Sequence, residues 1–102
     1  MDERKRLILD IIIQEHIATG QPVASNIVVE KYQIDCSPAT VRNEMAELEN
    51  DGWIIQPYTS AGRIPTEQAY NLYIETMKTH ALSKKKRLFL NQILKKKMMP
   101  NK

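Results

Sequence analysis

The sequence predicts a mainly α-helical protein that carries one small β-hairpin, an α+β fold class. Apolar residues recur at helical spacing along most of the 102 residues, with capping residues before these segments and glycine after two of them. One stretch, 53–65, is instead rich in β-branched residues and proline and contains a turn. Hydrophobic residues make up 42% and charged residues 26% of the chain, which is typical of one small globular domain with an appended element.

The first two helices are predicted over residues 2–18 and 25–32. The first is dense in aliphatic side chains and ends just before Gly20, a residue suited to a left-handed helix end. Six of the seven residues in 7–13 are apolar, which is more than one buried face requires, so we expect this helix to be buried on two sides. The second helix is the weaker pattern, because the Val pair at 28–29 also suits a short strand.

The third helix is predicted from an N-cap at Ser37 to about Asp51. Pro38 fits the first helical position, because its missing N–H would be unpaired there in any case. Apolar side chains at i, i+4 and i+7 form one stripe: Val41, Met45 and Leu48. Small and polar side chains occupy the rest of the N-terminal half, an arrangement that suits the DNA major groove: Ala39, Thr40, Arg42 and Asn43. Taken alone, an ordinary amphipathic helix explains this pattern equally well.

A β-hairpin is predicted after this helix. Residues 53–56 form its first strand, residues 60–62 the turn, and residues 63–64 the second strand. We expect Gly62 to adopt a positive φ in the turn and Pro65 to end the second strand. Three helices followed by a hairpin make a winged helix-turn-helix, in which the hairpin is the wing.

The remaining residues predict two more helices. Thr66 caps one that runs to about residue 80, and Ser83 begins a Lys-rich one, with a hinge over 79–84. The predicted architecture is therefore a winged helix-turn-helix plus a C-terminal helix. We place the winged helix-turn-helix DNA-binding domain at residues 1–78 and the Lys-rich helix and tail at residues 79–102.

Charge is unevenly distributed between these two parts. Residues 1–80 carry 7 basic and 12 acidic side chains, a net charge of −5, whereas residues 81–102 carry 8 basic side chains and no acidic ones. The body is thus not a generally basic nucleic-acid binder, and any affinity for DNA there must come from a few placed cations. The Lys-rich part would be attracted to any polyanion.

No pattern for catalysis or metal binding stands out. His16 and His80 lack further ligands at metal-binding spacing, and the three glycines form no phosphate-cradling loop. No apolar run approaches the length of a membrane span, and a single cysteine, Cys36, fits a reducing cytoplasm. We therefore expect no enzymatic activity, cofactor, metal, small-molecule ligand or membrane partner, and a cytoplasmic location.

Three segments carry a resemblance to a known family. They read IATGQPVAS at 17–25, SPATVRNEMAELENDGW at 37–53 and QPYTSAGRIPTEQAY at 56–70, and the last is the most specific. Over roughly residues 3–77 the chain resembles the N-terminal domain of the heat-inducible transcription repressor family, HrcA. The resemblance implies a bacterial repressor of heat-shock and chaperone genes that binds double-stranded DNA at an inverted-repeat operator as a homodimer, located on the nucleoid when bound.

The resemblance also implies which residues meet the DNA. Those on the third helix are Ser37, Ala39, Thr40, Arg42 and Asn43; those on the wing are Thr59, Ser60 and Arg63; and two lie near phosphates at the start of the second helix, Ser25 and Asn26. The chemistry of the side chains assigns Arg42 to a guanine and Asn43 to an adenine. Arg63, beside the glycine of the turn, is suited to meet phosphates or to lie over the minor groove, and Ser37 and Thr40 suit phosphates.

The family's usual dimerisation region is not among these residues. We therefore expect a dimer interface formed by the first helix and the helix at 83–98, through Leu7, Ile11, Leu88, Phe89 and Ile93. Packing of the same helices within one chain is an open alternative. Two other functions also remain open: non-specific nucleic-acid binding through the Lys-rich tail, and protein docking through the winged helix.

Overall fold

The computed structural model describes residues 1–58 and 60–98, except the side chains of residues 82, 83, 85, 87 and 89–98. The described residues form four helices and one antiparallel hairpin: α1 (Glu3–Thr19), α2 (Ser25–Tyr32), α3 (Pro38–Asn50), β1 (Ile54–Ile55), β2 (Ile64–Pro65) and α4 (Glu67–Met98). This order confirms the predicted mainly α class with a small hairpin. The chain divides into two compact units, the first over Met1–Leu72 and the second from Tyr73 onward.

The helix ends lie where the local sequence predicts them. The Asp2 carboxylate caps α1 by accepting a 2.8 Å hydrogen bond from the backbone N–H of Lys5. Gly20 ends that helix in the left-handed conformation, with φ of 70°. Ser37 caps α3, since its hydroxyl accepts a 3.1 Å hydrogen bond from the backbone N–H of Thr40. The segment 25–32 is helical, so the strand alternative for it is wrong.

The core of the first unit is built around α1. This helix contacts α2, α3 and β2, which explains why it carries more apolar residues than a surface helix needs. Every core side chain is less than a tenth exposed: Ile8, Leu9, Ile11, Ile12, Ile13, Val23, Val28, Val41, Met45, Leu48, Ile54 and Ala69. The apolar stripe predicted on α3 is therefore confirmed as its buried face.

The hairpin differs from the prediction in two details. The second strand is Ile64–Pro65 rather than residues 63–64, so Pro65 ends it as its last residue, paired with Ile54, and not as the residue after it. Gly62 does not take a positive φ. Its lack of a side chain instead lets the turn lie close to Pro22 and Val23. A Cβ there would lie 2.8 Å from the Cβ of Pro22 and 2.9 Å from the Pro22 carbonyl carbon. The positive φ in this segment belongs to Tyr58, at 51°.

The two helices predicted at the C-terminal end are one. Thr66 caps α4 as predicted, accepting a 3.3 Å hydrogen bond from the backbone N–H of Ala69, and the helix continues unbroken to Met98. The hinge predicted over 79–84 is therefore wrong. A serine such as Ser83 can cap a helix but does not force an end, and residues 67–98 contain neither glycine nor proline.

Candidate nucleic-acid interface

The N-terminal half of α3 presents the polar set predicted for it. Ala39, Arg42 and Asn43 are exposed, while Val41 between them is fully buried. Within the described part of the chain, the Arg42 guanidinium has neither a hydrogen bond nor an ion pair. Its five N–H donors are therefore available to a ligand on this face.

The hydroxyl groups of Ser37 and Thr40 form hydrogen bonds at the start of α3. Ser37 Oγ accepts the backbone N–H of Thr40, and the two side-chain oxygens lie 2.9 Å apart, within hydrogen-bond distance. Ser37 is exposed and Thr40 is half-buried. The helix N-terminus thus combines a satisfied cap with the positive end of the helix dipole, which favours an anion nearby.

A cleft of about 710 Å³ opens between α3, the start of α2 and the wing. It brings together three residues predicted to contact DNA, Ser25, Arg42 and Arg63, from three separate segments of the chain. The complete lining is Ser25, Arg42, Met45, Ala46, Glu49, Asn50, Ala61 and Arg63. Asn26, the neighbour of Ser25, is exposed at the first turn of α2.

Arg63 does not extend into solvent from the wing. Its side chain is only 24% exposed, and its Nε donates a hydrogen bond to Glu49 Oε1 on α3. Its Nη1 donates to the carbonyls of Ala61 at 3.1 Å and Gly62 at 3.0 Å. The wing arginine is therefore folded back onto α3 and its own loop, an arrangement that the sequence did not predict.

A lysine on α1 pairs with two acidic side chains of α3. Lys5 Nζ lies 2.6 Å from Glu47 Oε2 and 3.5 Å from Glu44 Oε2, and it also bonds to Asp2 at 3.3 Å. The hydrogen bond to Glu47, opposed by partial desolvation and supported by Asp2 and Glu44, raises the pKa of Lys5 above its usual value. Lys5 therefore stays charged and ties the first helix to the third.

The tip of the wing is a tight, internally bonded turn. The backbone N–H of Ser60 donates to the Pro57 carbonyl at 3.1 Å, and Gln56 Nε2 donates to the Ser60 carbonyl at 2.6 Å. Tyr58 lies in this turn with a side chain that is 99% exposed. This exposure was not predicted from the sequence, which places Tyr58 after the predicted strand and before the turn. Thr59, the third predicted wing contact, lies outside the described residues.

A second polar cluster joins α1 to α2 and was also missed. Glu15 is 6% exposed and accepts hydrogen bonds of 2.9 Å from both Lys31 Nζ and the Tyr32 hydroxyl. The bonds from Lys31 and Tyr32 lower the pKa of Glu15, and the same carboxylate raises the pKa of Lys31. Burial first, and then the bond to Glu15, raise the pKa of Tyr32. This cluster ties α2, the helix that precedes α3, to α1.

The residues predicted for a dimer interface are in different environments. Ile11 is 4% exposed, in the core of the first unit, whereas Leu7 is 50% exposed and Leu88 on α4 is 55% exposed. The side chains of Phe89 and Ile93 lie outside the described residues. The interface therefore stays a prediction.

Metal-binding groups and membrane-spanning helices are both absent from the described residues. Among the described residues, no group of three or more His, Cys, Asp or Glu side chains could hold a metal ion. No helix in the part of the chain that the structure covers is both long and apolar enough to cross a membrane.

Comparison with known proteins points to one set of relatives. No family model matches the chain. Curated proteins called heat-inducible transcription repressor HrcA do match it: one from Alkaliphilus metalliredigens is 55% identical over 75 residues, 74% of this chain and 22% of that protein. Another, from Carboxydothermus hydrogenoformans, is 44% identical over 99 residues, 96% of this chain and 29% of that protein. The chain thus spans about a quarter of the length of these relatives.

A solved structure agrees with the sequence matches. It is a 2.2 Å crystal structure of a protein described only as hypothetical, 44% identical in sequence, with a TM-score of 0.74. The similarity covers 78% of this chain and 25% of that one.

Proposed function

Because this chain belongs to the HrcA family of heat-inducible transcription repressors, we propose that it is a sequence-specific DNA-binding repressor of heat-shock and chaperone genes. In this proposal α3 enters the major groove of an operator and the wing lies along the adjacent backbone. The protein would act in the bacterial cytoplasm, on the nucleoid. The proposal covers the DNA-binding part of such a repressor, since the relatives are roughly three times as long as this chain.

The observation that carries the proposal is the exposed N-terminal half of α3. Arg42 and Asn43 are exposed side by side, and small Ala39 lies one turn before them, so the helix can approach base edges closely. An arginine with five unused donors can bond to both acceptors of a guanine, and an asparagine can do the same with an adenine. Burial of Val41, Met45 and Leu48 holds this face outward.

Phosphate contacts complete the proposed surface. Ser25 and Arg63 line the same cleft as Arg42, and Ser37 lies at the helix N-terminus. These groups, with Asn26, Thr40, Thr59 and Ser60, would fix the register on the duplex without reading its sequence. An inverted-repeat operator offers two half-sites, so we propose that two copies bind together as a homodimer. Leu7 and Leu88 are exposed apolar side chains that a second copy could cover.

The test is a titration of the chain against the family's inverted-repeat operator and a scrambled duplex of equal length, by fluorescence anisotropy at near-physiological salt. We expect preference for the operator, and we expect Arg42→Ala to remove about 1–3 kcal/mol of that preference. Asn50→Ala is the control, because Asn50 lines the same cleft about two helical turns after Arg42 and is not among the proposed contacts. Equal and salt-sensitive binding to both duplexes, unchanged by Arg42→Ala, would assign the affinity to the Lys-rich residues 81–102 instead.

A further inference from the structure

The carboxylate of Glu49 occupies the proposed DNA surface itself. Glu49 lines the cleft together with Arg42 and Ser25, and its side chain is 40% exposed. An acidic group in this place repels phosphate, unless a cation neutralises it. The cation is Arg63, whose Nε donates to Glu49 Oε1.

The bonding of Arg63 leaves part of its guanidinium unused. Nε is taken by Glu49, and Nη1 by the carbonyls of Ala61 and Gly62. Within the described residues Nη2 has no hydrogen-bond partner. The arginine is thus accessible to a ligand, but its positive charge is already compensated.

The wing does not need Glu49 in order to keep its shape. The backbone of Arg63 exchanges two hydrogen bonds with Val23, at 2.8 and 2.9 Å, and Nη1 ties the side chain to its own loop. A partly exposed ion pair in such a place contributes little to stability, because water screens it. Its main effect is therefore on the charge that the wing presents to a polyanion.

We propose that Glu49 sets the strength of DNA binding by competing with phosphate for Arg63. This inference rests on the proposed function, since it names a residue that tunes the same surface. On binding, a phosphate oxygen replaces the Glu49 carboxylate as the partner of the guanidinium, and the freed carboxylate takes up a cation from solution. Because phosphates carry no sequence information, the effect is the same on every duplex.

The experiment compares the wild-type chain with Glu49→Gln on the operator and on the scrambled duplex, over a series of salt concentrations. Glutamine keeps the size of the side chain and removes its charge. We expect Glu49→Gln to bind both duplexes about two- to fivefold more tightly, which is the range of a partly exposed ion pair. We also expect the slope of log affinity against log salt to steepen, by at most about 0.9, the value for one phosphate contact, because no cation is then taken up.

Two controls separate local competition from general electrostatics. Asp51→Asn removes the same charge two residues further on, outside the cleft that holds Arg63, so we expect less than a twofold change. Arg63→Ala should abolish the gain from Glu49→Gln when the two changes are combined. A gain that persists without Arg63 would overturn the proposal.

The remaining outcomes distinguish this inference from the proposed function. Unchanged or weaker binding by Glu49→Gln, or a gain on the operator alone, would overturn the competition. If the wild-type chain shows no operator preference, the proposed function fails, and competition is still measured on the scrambled duplex. In the free protein, the Arg63 Nε–H resonance should be protected from exchange in the wild type, because Nε donates to the Glu49 carboxylate. Absence of that protection would also overturn the inference.

Discussion

Val23 and Arg63 exchange both of their backbone hydrogen bonds, N–H to carbonyl in each direction, at 2.8 and 2.9 Å. Val23 belongs to the loop between α1 and α2 and is 1% exposed, so it anchors the wing to the core. The wing is therefore held by the loop between α1 and α2 as well as by the pairing of its own two short strands. An isolated hairpin of this length would be marginal in water.

Gly62 makes this anchor possible, and we expect Gly62→Ala to loosen it. The added Cβ would lie 2.8 Å from Pro22 Cβ and 3.0 Å from the Val23 nitrogen, and backbone atoms cannot turn aside. Overpacking of this kind costs about 1–3 kcal/mol of unfolding free energy. Urea denaturation measures the loss. Ala61→Ser, at the adjacent exposed position, should change the midpoint little; an equally stable Gly62→Ala variant would contradict the close approach.

We expect the Tyr58→Gly variant to be more stable against unfolding than the wild-type protein. Its φ of 51° disfavours any residue with a Cβ, and its ring, 99% exposed, gains nothing from burial. Relief of a left-handed conformation contributes roughly 1–2 kcal/mol, which the greater freedom of glycine in the unfolded chain partly offsets. Tyr58→Ala keeps the strained backbone and serves as the control. Thermal unfolding in which alanine and glycine variants have the same midpoint would show that the backbone there is not strained.

Glu15 should make stability depend on pH in the acid range. Its pKa is lowered in the folded state by Lys31 and Tyr32, so its contribution is present above the unfolded-state pKa and is lost as pH falls through the folded-state value. We expect Glu15→Gln to unfold at a lower temperature near pH 7 and to approach the wild type as the pH is lowered. Calorimetry from pH 7 to about pH 3 measures this, around the ordinary Glu pKa of about 4.3.

The control for Glu15 is Glu30→Gln, an exposed carboxylate on α2. Its difference from the wild type should stay constant over the same pH range. A Glu15→Gln variant whose midpoint runs parallel to that of the wild type at every pH would mean that the pair with Lys31 adds nothing to folding.

The two roles of Ser37, as the N-cap of α3 and as a proposed phosphate contact, can be tested separately. Aspartate is as good an N-cap as serine, so Ser37→Asp should keep the unfolding midpoint, whereas Ser37→Ala should lose about 1 kcal/mol. The carboxylate would face the phosphates proposed at the start of α3, so we expect Ser37→Asp to bind the operator about tenfold more weakly or worse. Circular dichroism and anisotropy provide the two readouts. Full DNA affinity in a stably folded Ser37→Asp variant would remove Ser37 from the proposed contacts.

The elements could be predicted from the sequence because their signals are local. Ser37 and Gly20 lie within one turn of the helix ends that they determine, and the stripe on α3 repeats within eight residues. The ion pairs could not be predicted in the same way. Glu49 and Arg63 are 14 positions apart and Glu15 and Lys31 are 16 apart, so only the folded chain brings them together. Gly62 was misinterpreted for the same reason: its neighbour is Pro22, forty residues earlier.

The Lys5 cluster has a kinetic consequence. Lys5 lies against Glu44 and Glu47 behind α3, and Arg63 pairs with Glu49 beside it. Among the described residues, the charged side chain on the exposed N-terminal half of α3 that has no ion pair is Arg42. Residues 1–80 have a net charge of −5, yet the exposed face of α3 presents the positive charge of Arg42. The charge of this part of the chain is therefore distributed asymmetrically. If the chain binds DNA as proposed, this asymmetry acts within a Debye length of about 8 Å at physiological salt and turns the approaching chain so that α3 meets the duplex first. Productive collisions then become rarer as salt is added, even where the final contacts are unchanged.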